Sequence, residues 1–233
     1  MLELRNITAG YDTGLVLRGV SLVVPKASVV ALLGANGAGK TTLLRAASGH
    51  LRPASGSVVL DGREVTDRRP EHLARHGLCH VPEGRGIFPS LSVADNIRLL
   101  AARGVDRETA VAQATAAFPR LGERLDQRAG TMSGGEQQML ALARAYVSRP
   151  SVVLLDEVSM GLAPKIVDEI FESLRRLAQT GVSLLIVEQY VSRALDLADY
   201  VYILDRGRLT YAGEPTEISE DTIAHSYLGG LAS

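Results

Sequence analysis

The chain has 233 residues, 46% of them hydrophobic, and its 25 basic and 26 acidic side chains leave a formal charge of −1. That length can bury a sizeable core within one domain, while the balanced charge gives no electrostatic footprint for nucleic acid. A single cysteine, Cys79, excludes an internal disulfide framework; no apolar run reaches the ~20 residues of a membrane-spanning helix, and the opening MLELRNITAG has no signal-peptide pattern, so a soluble cytosolic protein is expected.

From Met1 to Pro25 apolar and polar residues alternate in short pieces, Leu2/Leu4 and then Val20/Leu22/Val24, which predicts antiparallel strands with one wet face. SVVALL, from Ser28, is instead a continuous apolar run, as expected of a strand covered on both faces. A glycine-rich turn follows, then the helical pattern GKTTLLRAASG, closed by Gly49. The arginines of DGREVTDRRPEHLARHG are interleaved with acids and read as a solvated face. GLCHVP reads as a strand, with Cys79 a buried, inert thiol. Between about Ser92 and Ser148 SVADNIRLLAAR, RETAVAQATAAFPRL and GGEQQMLALARAYVSR all read as helix, which predicts a helical insert. SVVLLD and SLLIVE are two more apolar strands, separated by a helix with Ile166, Ile170, Phe171, Leu174 and Leu177 on one face and a stop at Gly181. YVYILDRGRLTYAG predicts a hairpin turning at Arg206–Gly207. Strands alternating with helices imply a mostly parallel α/β core.

Three stretches carry chemistry. GANGAGKTT lies between a strand and a helix, the context that a phosphate-binding P-loop requires. Gly34, Gly37 and Gly39, with Ala35, Asn36 and Ala38 between them, let backbone N–H groups turn inward on a phosphate, and the following helix adds its positive end. Lys40 supplies a point charge for the β- and γ-phosphates, Thr41 a hydroxyl for Mg²⁺, and Thr42 completes the motif. Asp156 and Glu157 end an apolar strand, where α/β sheets bind ligands. Taken alone, one of them could simply cap the next loop; beside a P-loop, Asp156 is expected to hold Mg²⁺ and Glu157 to act as general base toward water. Ser133, Gly134 and Gly135, with Glu136 after them, open a helix and offer a hydroxyl and free N–H groups to an anion, although an ordinary helix cap reads the same way.

The order of P-loop, TMSGGEQQML and VVLLDE resembles the ATP-binding cassette (ABC) ATPases, and the resemblance covers essentially the whole chain. It implies a P-loop NTPase fold of class α/β: a mostly parallel core with an antiparallel β part over residues 1–82 and 150–233, and a helical signature subdomain over 83–149. It also implies ATP and Mg²⁺ as ligands, and a homo- or heterodimer with another ABC ATPase in which the signature of one subunit meets the nucleotide of the other. Tyr11 falls where the family stacks an aromatic ring on adenine, although a surface tyrosine in a turn reads the same way. Gly161 and Leu162 resemble the dimer-contacting loop, and Val158 stands where the nearest branch usually has proline.

Two positions depart from the family pattern. Glu83 stands where most members have a glutamine that reaches Mg²⁺ and the attacking water, and Gln189 stands where most have a switch histidine. With VPEGR, GLAP, VEQ and the terminal YLGG, these resemble the second ATP-binding subunit of bacterial branched-chain amino-acid importers, with urea, amide and other amino-acid importers similar in appearance. An ABC ATPase with no transport role, and a nucleotide-gated module that does not hydrolyse ATP, are the rival classes. The importer reading implies membrane-embedded permease subunits as partners, a location on the inner face of the membrane, and no direct contact with the transported substrate. A groove lined from Glu83 to Ile97 is expected to receive the permeases; Ile87 and Phe88 either face that groove or pack inside the insert. His50, His72, His76, His80 and His225 show no metal-ligand pattern.

Overall fold

Continuous β-branched and leucine runs favour strands buried on both faces, and three such runs form the centre of the larger sheet: β3 (Val29–Leu33), β7 (Val152–Asp156) and β8 (Ser183–Val187), buried at every position. In the computed structural model, which describes residues 1–84, 86–102 and 104–219, they belong to a six-stranded sheet. Its other strands are β6 (Leu78–Val81), β9 (Tyr200–Asp205) and β10 (Arg208–Gly213), in the order β10-β9-β3-β8-β7-β6. All neighbours are parallel except the β9–β10 hairpin, which turns at Arg206 and Gly207, both at positive φ. The carboxyl ends of β3, β8, β7 and β6 therefore open along one edge of the sheet.

The alternating N-terminal segment forms β1 (Leu2–Tyr11) and β2 (Gly14–Val24), antiparallel and longer than their short apolar pieces suggest. Irregular pairing between Leu4 and Gly10, with Asn6 at φ 50, interrupts the period of two without ending the strand. β4 (Ser55–Leu60) pairs with the other edge of β1, and β5 (Arg63–Glu64) completes a four-stranded sheet. The sequence pattern alone does not mark β4, because only Val58, Val59 and Leu60 are buried in it.

Helices α1 (Lys40–Ala47), α2 (Pro70–Arg75), α7 (Pro164–Gln179) and α8 (Val191–Leu197) connect the strands; α3 (Val93–Leu100), α4 (Arg107–Ala117), α5 (Pro119–Gly122) and α6 (Gly134–Val147) fill the interval between β6 and β7. Side-chain alternation divides the core between the two faces of the large sheet. Val152, Leu154, Leu185 and Val187 pack with Leu43 and Leu44 of α1 and the inner residues of β1, β2 and β4. Val153, Leu155, Leu184 and Ile186 pack with Ile170 and Leu174 of α7, Leu140 of α6, and Val93, Ile97 and Phe118. The helices of the insert thus share one buried core with the sheet. Cys79 is buried in that core, and burial pushes its thiol up to about 11. His225 and the terminal YLGG lie outside the described residues, as does Arg85 of VPEGR.

Candidate active site

β3 delivers its last residue, Leu33, directly into the glycine-rich turn. Gly34 has φ 146 and sits so close to the carbonyl of Leu204 that a Cβ would overlap it, so only glycine lets the loop pass there. Gly39, at φ 109, ends the turn and starts α1 with no side-chain cap, leaving the first N–H groups of the helix turned toward the loop. The result is a cleft of about 280 Å³ lined by Val16, Asn36, Gly37, Gly39, Lys40, Thr41, Thr42 and Glu157. Val16 of β2 has no chemical signature and is found only through the packing of β2 beside the loop.

Lys40 is 5% exposed. Its Nζ donates to the carbonyls of Gly34 at 2.8 Å and Ala35 at 3.1 Å and lies 3.8 Å from Glu157 Oε1. Burial lowers its proton affinity, and the charges of Glu157 and Asp156 work against that shift. Asp156 is 1% exposed and accepts from Thr41 Oγ1 at 3.2 Å. Burial pushes its carboxyl up to about 6, opposed by the Thr41 hydroxyl and reinforced by the nearby carboxylates of Glu157 and Glu83. Glu83 itself is exposed, past the end of β6.

Glu157 has φ 48, and its N–H donates to the carbonyl of Val187 at 2.9 Å. Gln189 Nε2 donates to Glu157 Oε2 at 3.0 Å and to Asn36 Oδ1 at 3.4 Å. One amide therefore touches both the predicted base and the phosphate loop. Tyr11 is exposed at the β1–β2 turn, and its hydroxyl accepts from Arg45 Nη1 at 3.2 Å.

The helix start at Ser133 lies elsewhere. Ser133, Gly134, Gly135 and Glu136 do not line the cleft. Ser133 caps α6: its hydroxyl accepts from Glu136 N, and Glu136 Oε2 accepts from Ser133 N at 2.9 Å. Glu136 also pairs with Arg124 at 2.8 Å. Burial acts to raise its proton affinity, but Ser133 and Arg124 outweigh it and hold the carboxyl below the usual range. The structure thus gives Glu136 a capping contact that the sequence reading missed, although S-x-x-E before a helix is a legible signal for it. Val158 is buried, while Met160 and Gly161 are exposed and Leu162 is half-buried.

These residues fit a nucleotide and a hard cation. The P-loop is a glycine cradle at a helix start with a buried lysine, and Thr41 and Asp156 offer oxygen donors only. Among the described residues no cluster of three or more His, Cys, Asp or Glu could hold a metal by itself.

Residues 17–160 match the family model described as ABC transporter. The chain is similar to the high-affinity branched-chain amino acid transport ATP-binding protein BraG of Pseudomonas aeruginosa, with 41% identity across 99% of this chain and 100% of BraG. It is similar to the probable branched-chain amino acid transport ATP-binding protein LivF of Archaeoglobus fulgidus, at 37% identity across 94% of each. The dimeric structure of a post-hydrolysis state of the ATP-binding cassette MJ0796, bound to ADP and Pi, matches with a TM-score of 0.82 at 23% identity. That likeness covers 92% of this chain and 99% of the other and is one of fold.

Proposed function

The chain belongs to the ABC transporter family, and we propose that it is the ATP-hydrolysing subunit of an importer for branched-chain amino acids. The likeness to BraG and LivF along nearly the whole chain supports the substrate class. One observation carries the mechanism: Lys40, Thr41, Asp156, Glu157 and Gln189 meet at the carboxyl edge of adjacent parallel strands.

In this reading the N–H groups from Gly34 to Gly39 and the charge of Lys40 bind the phosphates of ATP. Thr41 and Asp156 would hold Mg²⁺, with Glu83 beside them; when bound, the ion supplies charge neutralisation at the phosphate oxygens. Glu157 accepts a proton from the attacking water. Gln189 cannot exchange a proton near neutral pH as histidine does, so it orients Glu157 through one N–H and can offer another to a γ-phosphate oxygen. Tyr11, held by Arg45, faces the adenine. Ser133, Gly134 and Gly135 complete the site of a second ATPase subunit, a role consistent with their absence from the lining of this chain's own cleft; the dimeric MJ0796 structure supports such pairing. The whole chain acts as one ATPase domain, with the helical insert as its signature subdomain.

Among the described residues no helix is long and apolar enough to cross a membrane, so attachment to the inner membrane face runs through permease subunits, which alone contact the amino acid. Of the stretch expected to line the docking groove, Glu83, Gly86 and Phe88 are exposed, whereas Val93 and Ile97 are core residues. A cleft of about 350 Å³ lined by His50, His80, Leu99, Leu100 and Arg144, among others, extends the docking surface in this reading. Phe88, 47% exposed, stands on the adjoining loop, whose Gly86 carbonyl accepts from Arg144 at 2.7 Å.

Glu157→Gln is expected to lower phosphate release by about 10²-fold or more while ATP still binds, and Gln189→Ala to slow release without abolishing it. Full activity in Glu157→Gln would remove it as the base. An assembled complex that imports urea but not leucine would overturn the substrate class.

A further inference from the structure

The last residue of β8 and the two that follow it each grip the segment following β7. The Val187 carbonyl accepts from Glu157 N at 2.9 Å, and Gln189 Nε2 donates to the Glu157 carboxylate at 3.0 Å. Between them Glu188, 1% exposed, takes both of its contacts to that segment from one residue. Its Oε1 accepts from Ser159 N at 3.1 Å and its Oε2 from Ser159 Oγ at 2.5 Å, while Gln189 N adds a weaker contact at 3.3 Å. Ser159 is fully buried. A carboxyl group buried this deeply costs free energy that an apolar residue would not, and the fold does not need it to close the sheet, since β7 and β8 already pair along their whole length.

We infer that Glu188 is a positioning residue: gripping Ser159 by its backbone and its hydroxyl, it fixes the turn that aims the Glu157 carboxylate at the attacking water. The turn needs such fixing. Glu157 has φ 48, a conformation unfavourable for a residue with a Cβ, and three residues beyond it the chain emerges at exposed Met160. With Ser159 released, Glu157 keeps its contacts to Val187, Gln189 and Lys40 but loses the anchor of the turn itself, and small displacements of a catalytic group cost rate steeply. The bland alternative is a buried polar pair that contributes stability alone.

The inference rests on the ATPase reading, and the test separates the two. Steady-state ATP hydrolysis, ATP affinity and thermal midpoint are measured on the full chain for Ser159→Ala, Glu188→Ala, their double variant and Glu188→Gln. A glutamine amide can accept from Ser159 N and donate to Ser159 Oγ, which preserves the grip. The expected result is a kcat lowered about ten- to a hundredfold in both alanine variants, with ATP affinity within about twofold of wild type. The double variant should be no slower than the worse single one, and Glu188→Gln should recover most of the rate. Wild-type kcat in Ser159→Ala, additive losses, or loss of ATP affinity in step with kcat would overturn the inference while leaving the ATPase reading intact. Should Glu188→Ala fail to fold, Ser159→Ala decides, because it removes a single hydroxyl. A wild-type chain that binds ATP but releases no phosphate under any condition would overturn both.

Discussion

At the scale of single residues the site combines exposed groups such as Glu83 and Gln189 with buried ones, Lys40, Asp156 and Glu188, whose properties follow from burial. Glu188 gives stability a dependence on pH. Burial, with some help from the charge of Glu157, pushes its carboxyl up to about 7 from an ordinary 4.5, against the pull of the Ser159 hydroxyl and N–H and the Gln189 N–H. The folded chain therefore binds this proton more tightly than the unfolded chain does. The contribution of Glu188 to stability is complete below pH 4.5 and is lost as pH rises through about 7. Glu188→Gln has no such proton, so the stability of wild type relative to this variant should fall between pH 5 and 8, by on the order of 2–3 kcal/mol. Thermal midpoints of the two proteins measured in parallel check this; curves that stay parallel would refute it. Asp156, pushed up to about 6, titrates in both proteins and cancels in the comparison. None of these shifts is legible in SLLIVEQ, which shows an acid at a strand end but not how deeply it is buried.

At the scale of elements, the start of α6 is held from two sides. Ser133 and Glu136 cap it, and Gly135 lies against α7 so closely that a Cβ would stand 2.8 Å from Ile166 Cγ2. Gly135→Ala should lower stability by ~1–3 kcal/mol through overpacking, and adding Ile166→Ala should restore much of the loss by removing the obstructing methyl. Urea unfolding of the single and double variants tests this, and a double variant no better than Gly135→Ala would show that the contact is not the cause. The sequence motif SGGE shows the cap, since its spacing is local. The need for the second glycine is invisible there, because the obstacle lies thirty-one positions away on another helix. β4 was missed for a similar reason: much of its regularity comes from pairing with β1 rather than from its own composition.

For the whole molecule, the importer reading puts nucleotide chemistry and partner docking on different surfaces linked by the insert. Asn96, fully buried at the base of α3, accepts from Phe88 N at 2.7 Å and donates to the Phe88 and Ser92 carbonyls at 3.0 and 2.9 Å. These bonds hold the Phe88 loop out from the core. Phe88→Asp places a charge on that exposed position without touching the core, so folding and ATP binding should persist while assembly with the membrane subunits drops by at least tenfold, as for an interface anchor worth ~2 kcal/mol. Co-purification from membranes measures it; undiminished assembly would move the docking surface elsewhere. Ile87 packs against the core, unlike its neighbour, a division that the sequence left open.

The sequence by itself determined the strands of the parallel core and the helices between them, though not β4, together with the helical insert, the P-loop and the acid pair after β7, because each is written in local spacing and in apolar runs. With the ABC resemblance it also pointed to the family to which the chain belongs. Only the tertiary structure decided which strand ends lie side by side, and with that the contact of Gln189 with both Glu157 and Asn36, the grip of Glu188 on Ser159, and the separation of the signature helix from this chain's own cleft. The physical reason is burial and register: residues 29 to 32 positions apart become neighbours only when β7 and β8 pair, and a carboxyl acquires its unusual proton affinity only when that pairing shuts out water.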